Sequence, residues 1–162
     1  MARAYIGLGS NLNEPAQQVR RALEALAELP ETQLRRVSRL YRSPPMGPAD
    51  QPDYINAVAE IETALAPEPL LDALQSIEQA FGRIRLRPWG ERVIDLDILL
   101  YDELQLHSER LTLPHPGIGA RAFVLCPLAE LAPELVIPGL EPLSELLARR
   151  SGDTCHPQEE SE

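Results

Sequence analysis

Apolar residues recur along this chain at two alternating periods. Residues 4–8 form a short apolar run that predicts a strand, and residues 34–42 read as a second. In residues 54–63, Ile55, Ala57, Ala59 and Ile61 make one face and Tyr54, Asn56 and Val58 the other. Near residue 97, Ile94, Leu96, Ile98 and Leu100 alternate with Val93, Asp95, Asp97, Leu99 and Tyr101, again with period two. Between these runs the period changes to that of a helix. Val19, Leu23, Leu26 and Leu29 form one stripe, with Asn13 as the predicted N-cap, Pro15 in the first turn and Pro30 closing it. Leu70, Leu74, Ile77 and Phe81 form a second, opened by Pro67 and Pro69 and ended by Gly82. Residues 121–132 read as helical around Pro127. Val136 and Ile137 predict a short pairing strand, and residues 143–147 a last helical turn or two.

The order is strand, helix, strand, strand, helix, strand, then additions. This predicts an α+β, ferredoxin-like fold: an antiparallel sheet with helices packed on one face, plus C-terminal additions. The other face is expected to be free, with Asp95, Asp97, Tyr54 and Asn56 sharing it. Residues 1–150 are expected to form a single domain. Residues 151–162, SGDTCHPQEESE, are a polar, acidic tail expected to be disordered. Two stretches interrupt the pattern. Residues 43–53, SPPMGPADQPD, hold four prolines and read as a long loop, as do residues 83–91. The fragment GLGSNL after the first run lacks the third glycine of a dinucleotide fingerprint, so a turn into a helix is the better reading.

Composition narrows the chemistry. At 162 residues the chain suits one domain with a sizeable core. Its formal charge is 15 − 25 = −10, and nucleic-acid binding normally needs a basic stripe, so none is expected. Every basic residue is arginine. Without lysine there is neither a P-loop nor a Schiff base, so phosphates must be gripped by arginine forks, backbone amides or metal. Cys126 and Cys155 lie far apart, which predicts neither a zinc site nor a disulfide framework, and Cys126 reads as core. No stretch resembles a signal peptide or membrane span, so a cytoplasmic protein without membrane partners is expected.

The chemistry concentrates in residues 83–101, which hold four arginines, the only tryptophan and the aspartate pair. On a strand, Asp95 and Asp97 point to one face with Cα atoms roughly 6–7 Å apart. Carboxylates that close repel unless a cation lies between them, and hard oxygen ligands suit Mg²⁺ with substrate phosphates. A lone D-x-D is more often a solvated acidic face, but here it sits in an apolar strand where unpaired charge is costly. Tyr54 and Asn56 read either as a ring for stacking beside an amide for bidentate hydrogen bonding, which fits a flat polar heterocycle, or as a surface tyrosine and an ordinary polar strand residue. Phe123 reads as a second stacking wall or as core. His115, stiffened between two prolines, reads as a phosphate donor or a solvated loop residue.

The segments AYIGLGSNL, YRSPP, DQPDY, WGERVIDLDILLY, LTLPHP and PLAELAP, in this order, resemble the 6-hydroxymethyl-7,8-dihydropterin pyrophosphokinase family of folate biosynthesis over almost the whole chain. The resemblance implies transfer of pyrophosphate from ATP to the pterin hydroxymethyl group, with release of AMP. It implies two Mg²⁺ ions on Asp95 and Asp97, and catalytic roles for Arg83, Arg92 and both aspartates. The pterin would lie between Tyr54 and Phe123, read by Asn56 and by groups near Ser43, Pro44 and Met46, with Asp95 beside it and Trp89 closing over it. Ser43 stands where other members carry threonine, which keeps the hydroxyl. ATP would contact Gln75, Glu78, Arg83, Arg85, Arg92, Ile98, Arg110, Leu111, Thr112, His115 and Arg121. The expected partners are these two substrates alone, and the expected state is a monomer. Two rivals share the fold: a nucleotidyl cyclase or polymerase-like palm, which attacks the α-phosphorus and releases pyrophosphate, and a regulatory module that binds its ligand without Mg²⁺.

Overall fold

The computed structural model describes residues 1–11, 14–43, 53–81, 94–116, 118, 122–140, 142–143, 145–146 and 156–157. The strands are β1 (Ala2–Ser10), β2 (Thr32–Val37), β3 (Tyr41–Ser43), β4 (Tyr54–Thr63), β5 (Asp95–Tyr101), β6 (Leu106–His107), β7 (Thr112–Leu113) and β8 (His156–Pro157). The helices are α1 (Pro15–Ala27), α2 (Pro67–Ala80) and α3 (Ala122–Leu131). The main sheet runs β5-β1-β4-β3-β8, with β2 pairing β4 beside β3. The pairings of β1 with β4 and β5, and of β4 with β2 and β3, are antiparallel. This is the α+β, ferredoxin-like arrangement that the sequence predicts.

Alternation explains the first face. Ala4, Ile6 and Leu8 of β1, Ile55, Ala57, Ala59 and Ile61 of β4, and Leu96 and Ile98 of β5 pack against Val19, Ala22 and Leu26 of α1 and Leu70, Leu74 and Ile77 of α2. Helical spacing puts each set of helix residues on one side, so both helices cover the same face of the sheet.

The second face is not free. Tyr5, Val58, Leu99 and Leu100 form a second core with Leu125, Leu128 and Leu131 of α3 and with Ile118, Ile137, Leu143 and Leu146. The additions after β7 supply this cover, and their short apolar runs did not show which face they would reach. A register shift between Tyr5 and Ile6 where β1 meets β5 lets Leu99 and the next residue, Leu100, both contribute to this core. Polar residues remain at the end of this face that carries Asp95, Asp97, Tyr54 and Asn56, and at the opposite end, where Glu60 pairs with Arg3 and Arg36.

Several local expectations are corrected. Gly7, Gly9 and Ser10 lie within β1 rather than in a turn. Glu14, at φ 62°, precedes α1 in place of the predicted cap Asn13, and its carbonyl accepts the amides of Gln17 and Gln18. The predicted strand 34–42 is two strands, β2 and β3. The chain leaves β4 between them, where the Ser38 hydroxyl accepts the Val58 amide at 2.9 Å. Cys126 is disulfide-bonded, against the expectation from spacing. The sequence holds one other cysteine, Cys155, which lies outside the described residues. Spacing along the chain does not reveal a return in space, and β8, just beyond residue 155, pairs antiparallel with β3. Pro127 sits inside α3, and Val136 bridges Pro142. Of the tail 151–162, only β8 is described.

Glu130 of α3 joins the two layers. It accepts Tyr41 Oη at 2.6 Å and the Arg39 amide at 3.0 Å. Burial, and then Glu130, hold the Tyr41 phenol above its ordinary pKa; burial does the same for Tyr5, aided by Glu60, and for Tyr101, aided by Asp102. The folded chain therefore keeps three protons that the unfolded chain releases near pH 10. Their stabilisation is present below about pH 10 and is lost as pH rises through the folded values. A thermal midpoint that falls steeply above about pH 10, less steeply in Tyr41→Phe, is the expected result; a midpoint unchanged between about pH 9 and 11 would refute it.

Candidate active site

Register across three strands assembles the site. Asp95 stands opposite Gly9, and Gly9 opposite Asn56, so the row Asp95–Gly9–Asn56 crosses β5, β1 and β4. Tyr41 of β3 continues it. The next row is Asp97–Gly7–Val58. Two glycines thus lie on β1 between the aspartates of β5 and Asn56 and Val58 of β4. A Cβ on Gly9 would stand 3.2 Å from Asn56 Oδ1 and 3.6 Å from the Tyr54 ring, and one on Gly7 would stand 3.3 Å from Leu99. The glycines make a floor in which no side chain separates the two halves. The sequence reading missed this role. The signal was present in Tyr5, Gly7 and Gly9, which share a strand face with Gly at the two site positions.

On one side of the floor, Asn56 is 7% exposed and donates Nδ2 to Ser43 Oγ at 2.6 Å. A buried amide needs such a partner, and the bond fixes which way it points. Its Oδ1 lies toward Gly9. Tyr54 is half-buried at the start of β4.

On the other side, a cavity of about 450 Å³ runs along β5. Gln75 and Glu78 of α2 reach it, as do Asp95, Asp97 and Ile98 of β5, and Arg110, Leu111, Thr112 and His115 from the segment around β7. Every predicted ATP contact among the described residues lines this one cavity. His115 Nε2 lies 3.9 Å from Asp97 Oδ1, beyond hydrogen-bond range but close enough for a shared ligand or a charge interaction. The His115 amide donates to the Leu99 carbonyl at 3.0 Å, which ties the loop to β5. Arg110 bonds Asp72 and Glu68 on α2, and its bond to Asp72 chiefly raises its already high pKa. It sits cationic at the rim.

Two half-exposed carboxylates on one strand face, open to the cavity, are hard oxygen donors of the kind Mg²⁺ takes together with substrate phosphates. Among the described residues no group of three His, Cys, Asp or Glu forms a complete metal cage. Pro44, Met46, Arg83, Arg85, Trp89, Arg92 and Arg121 lie outside the described residues, and Phe123 is described only as part of α3. No helix among the described residues is long and apolar enough to cross a membrane.

Paired carboxylates beside a cavity of about 450 Å³, at an uncovered end of a split-βαβ sheet, are the layout of a metal-assisted phosphate-transfer enzyme. The family 7,8-dihydro-6-hydroxymethylpterin-pyrophosphokinase (HPPK) matches residues 5–133, and the chain belongs to it. The 2-amino-4-hydroxy-6-hydroxymethyldihydropteridine pyrophosphokinase of Haemophilus influenzae is 54% identical over 147 residues, covering 91% of this chain and 92% of its own. That of Pseudomonas aeruginosa is 56% identical over 146 residues, covering 90% of each. In fold, the chain resembles Plasmodium falciparum HPPK-DHPS with pteroate, at TM-score 0.75 and 14% identity, over 93% of this chain and 42% of that one. The chain thus spans less than half of that solved protein, and the likeness concerns the fold alone. The chain is an ATP-dependent pyrophosphokinase of folate biosynthesis, transferring pyrophosphate from ATP to the hydroxymethyl group of 6-hydroxymethyl-7,8-dihydropterin with release of AMP.

Proposed function

We propose that the two sides of the glycine floor divide this reaction, with the pterin over Tyr54, Asn56 and Ser43 and the triphosphate along β5. The observation that carries this reading is the row Asp95–Gly9–Asn56. Two strand spacings, about 9.6 Å, separate its ends. That gap suits a bicyclic heterocycle whose hydroxymethyl arm reaches from the amide toward the carboxylates.

Asn56, held by Ser43, reads the amide edge of the ring, and Tyr54 stacks on it. Phe123, Trp89, Pro44 and Met46 complete the pterin pocket on the strength of family membership. Gln75, Ile98, Leu111 and Thr112 carry the nucleoside, while Arg110, His115 and, by membership, Arg83, Arg85, Arg92 and Arg121 grip the phosphates. Asp95 and Asp97 hold Mg²⁺, with two ions the expected number. These carboxylates would hold the metal, whose positive charge would offset the negative charge of the triphosphate. The protein's own part is positioning: it aligns the hydroxyl with the β-phosphorus, in line with the oxygen that leaves on AMP. Arg83 and Arg92 stabilise charge on the transferred group. A net charge of −10 supports a chain without nucleic-acid or membrane partners. It works as a cytoplasmic monomer whose partners are its two substrates.

Incubation with Mg-ATP and 6-hydroxymethyl-7,8-dihydropterin is expected to give AMP and the pterin diphosphate in equal amounts. Pyrophosphate as the released product would instead indicate attack at the α-phosphorus.

A further inference from the structure

We propose that Glu130 is a positioning residue for the pterin side of the site, holding β3 where Ser43 can fix Asn56, an inference that rests on reading Asn56 as the residue that meets the amide edge of the pterin. At the break between β2 and β3 the chain leaves β4, and its backbone groups need partners outside the ladder. The Ser38 hydroxyl accepts the Val58 amide at 2.9 Å and donates to the Arg39 carbonyl at 2.7 Å. The Arg39 amide donates to Glu130 Oε2 at 3.0 Å and to Oε1 at 3.2 Å.

Tyr41 is the second hold. It stands opposite Asn56 and is buried. Its hydroxyl donates to Glu130 Oε1 at 2.6 Å. A phenol that close to a carboxylate makes a charge-assisted bond, of the stronger kind. The Arg39 guanidinium also pairs with Glu130 at 3.4 Å, but its side chain is 63% exposed, so this pair adds little. One carboxylate on α3 thus grips the chain at residues 39 and 41, just ahead of Ser43.

β3 depends on that grip because it is only three residues long. Beyond it, β8 offers Pro157 opposite Tyr41 and His156 opposite Arg42, and Pro157 has no N–H to donate. Tyr41 and Ser43 are two apart and share a strand face, so a shift at Tyr41 carries Ser43 with it. Ser43 Oγ accepts Asn56 Nδ2 at 2.6 Å. If β3 drifts, that bond lengthens and the buried amide can turn from its ligand. Glu130 also ties β3 to the helix on which Phe123 lies, the proposed second wall of the pterin pocket. The cavity along β5 lies two strands from β4, so ATP binding is expected to change little.

The test uses three variants. Glu130→Ala removes both holds, Tyr41→Phe removes only the hydroxyl bond, and Glu130→Gln keeps one oxygen that can accept from Tyr41. Calorimetry follows a non-hydrolysable ATP analogue alone, then 6-hydroxymethyl-7,8-dihydropterin in its presence. Glu130→Ala is expected to weaken the pterin about tenfold and Tyr41→Phe about threefold, with the ATP analogue within about twofold of wild type throughout. Glu130→Gln is expected to fall between wild type and Glu130→Ala. In turnover, KM for the pterin is expected to rise more than kcat falls. Tyr41→Phe keeps the question open to measurement if Glu130→Ala does not fold. A lowered melting temperature with pterin affinity unchanged would overturn the proposal, and so would equal weakening of both ligands, since either marks a merely structural role. Glu130→Gln as weak as Glu130→Ala would overturn the part assigned to the Tyr41 bond. Asn56→Ala serves as the reference. If it leaves pterin affinity intact, the reading of the pterin side itself fails; if it weakens the pterin while the Glu130 and Tyr41 variants do not, only the positioning role fails.

Discussion

Asp97→Asn is expected to lower kcat about a thousandfold while the protein remains folded. The substitution preserves shape and removes one charge of a carboxylate pair. Metal-assisted charge stabilisation is worth several kcal/mol, and about 1.36 kcal/mol corresponds to each factor of ten in rate. Its side chain is 44% exposed, which limits what the core draws from it. Removing one of two repelling carboxylates is expected to leave the melting temperature of the ligand-free protein unchanged or slightly raised. Asp95→Asn is expected to act in the same direction. The decisive measurement is AMP release at saturating Mg-ATP and pterin, paired with a thermal melt. Turnover within about threefold of wild type would remove Asp97 from the reaction.

Gly9→Ala is expected to weaken pterin binding by about tenfold or more with little change for ATP. The added methyl would stand 3.2 Å from Asn56 Oδ1, closer than ordinary contact. Asn56 cannot swing away cheaply, because its Nδ2 is committed to buried Ser43 at 2.6 Å. Either that bond breaks, or β1 and β4 part, or the amide turns from its ligand. A buried polar group left unpaired costs about 1–3 kcal/mol, roughly 5- to 150-fold in affinity. Gly7→Ala is the comparison, because its methyl would meet only the flexible end of Leu99 at 3.3 Å. Calorimetry with each ligand separates the cases, and equal losses for ATP and pterin in Gly9→Ala would count against a divided site.

The main elements were legible because their periodicities are strong. β4 and α2 each bury one clean face, so the spacing of Ile55, Ala57, Ala59 and Ile61 and of Leu70, Leu74 and Ile77 sufficed. Asp95 and Asp97 were legible for the same reason, since period two forces them to one side of an apolar strand. Long-range pairings were not. Nothing local distinguishes Gly9 as a floor residue from Gly9 as a turn until β4 and β5 flank it. The second core was hidden because α3 is apolar nearly all round, with Leu125, Cys126 and Leu128 all buried, so it carries no amphipathic stripe to reveal its side. The break between β2 and β3 depends on the Ser38 hydroxyl and the Val58 amide, residues twenty apart.

The central position of β1 also constrains the order in which the molecule can be made. The strand leaves the ribosome before both of its neighbours, β4 and β5, which end at residues 63 and 101. Until synthesis passes β5, one whole side of β1 has no partner, and the two glycines have carboxylates on neither flank. A nascent chain released before that point carries an unpaired edge in the middle of its future sheet, a surface prone to association with other chains. Closing such distant pairings also makes folding slow relative to a helical bundle of the same size. Catalytic competence and escape from aggregation therefore arrive together, with the arrival of the strand that bears Asp95 and Asp97.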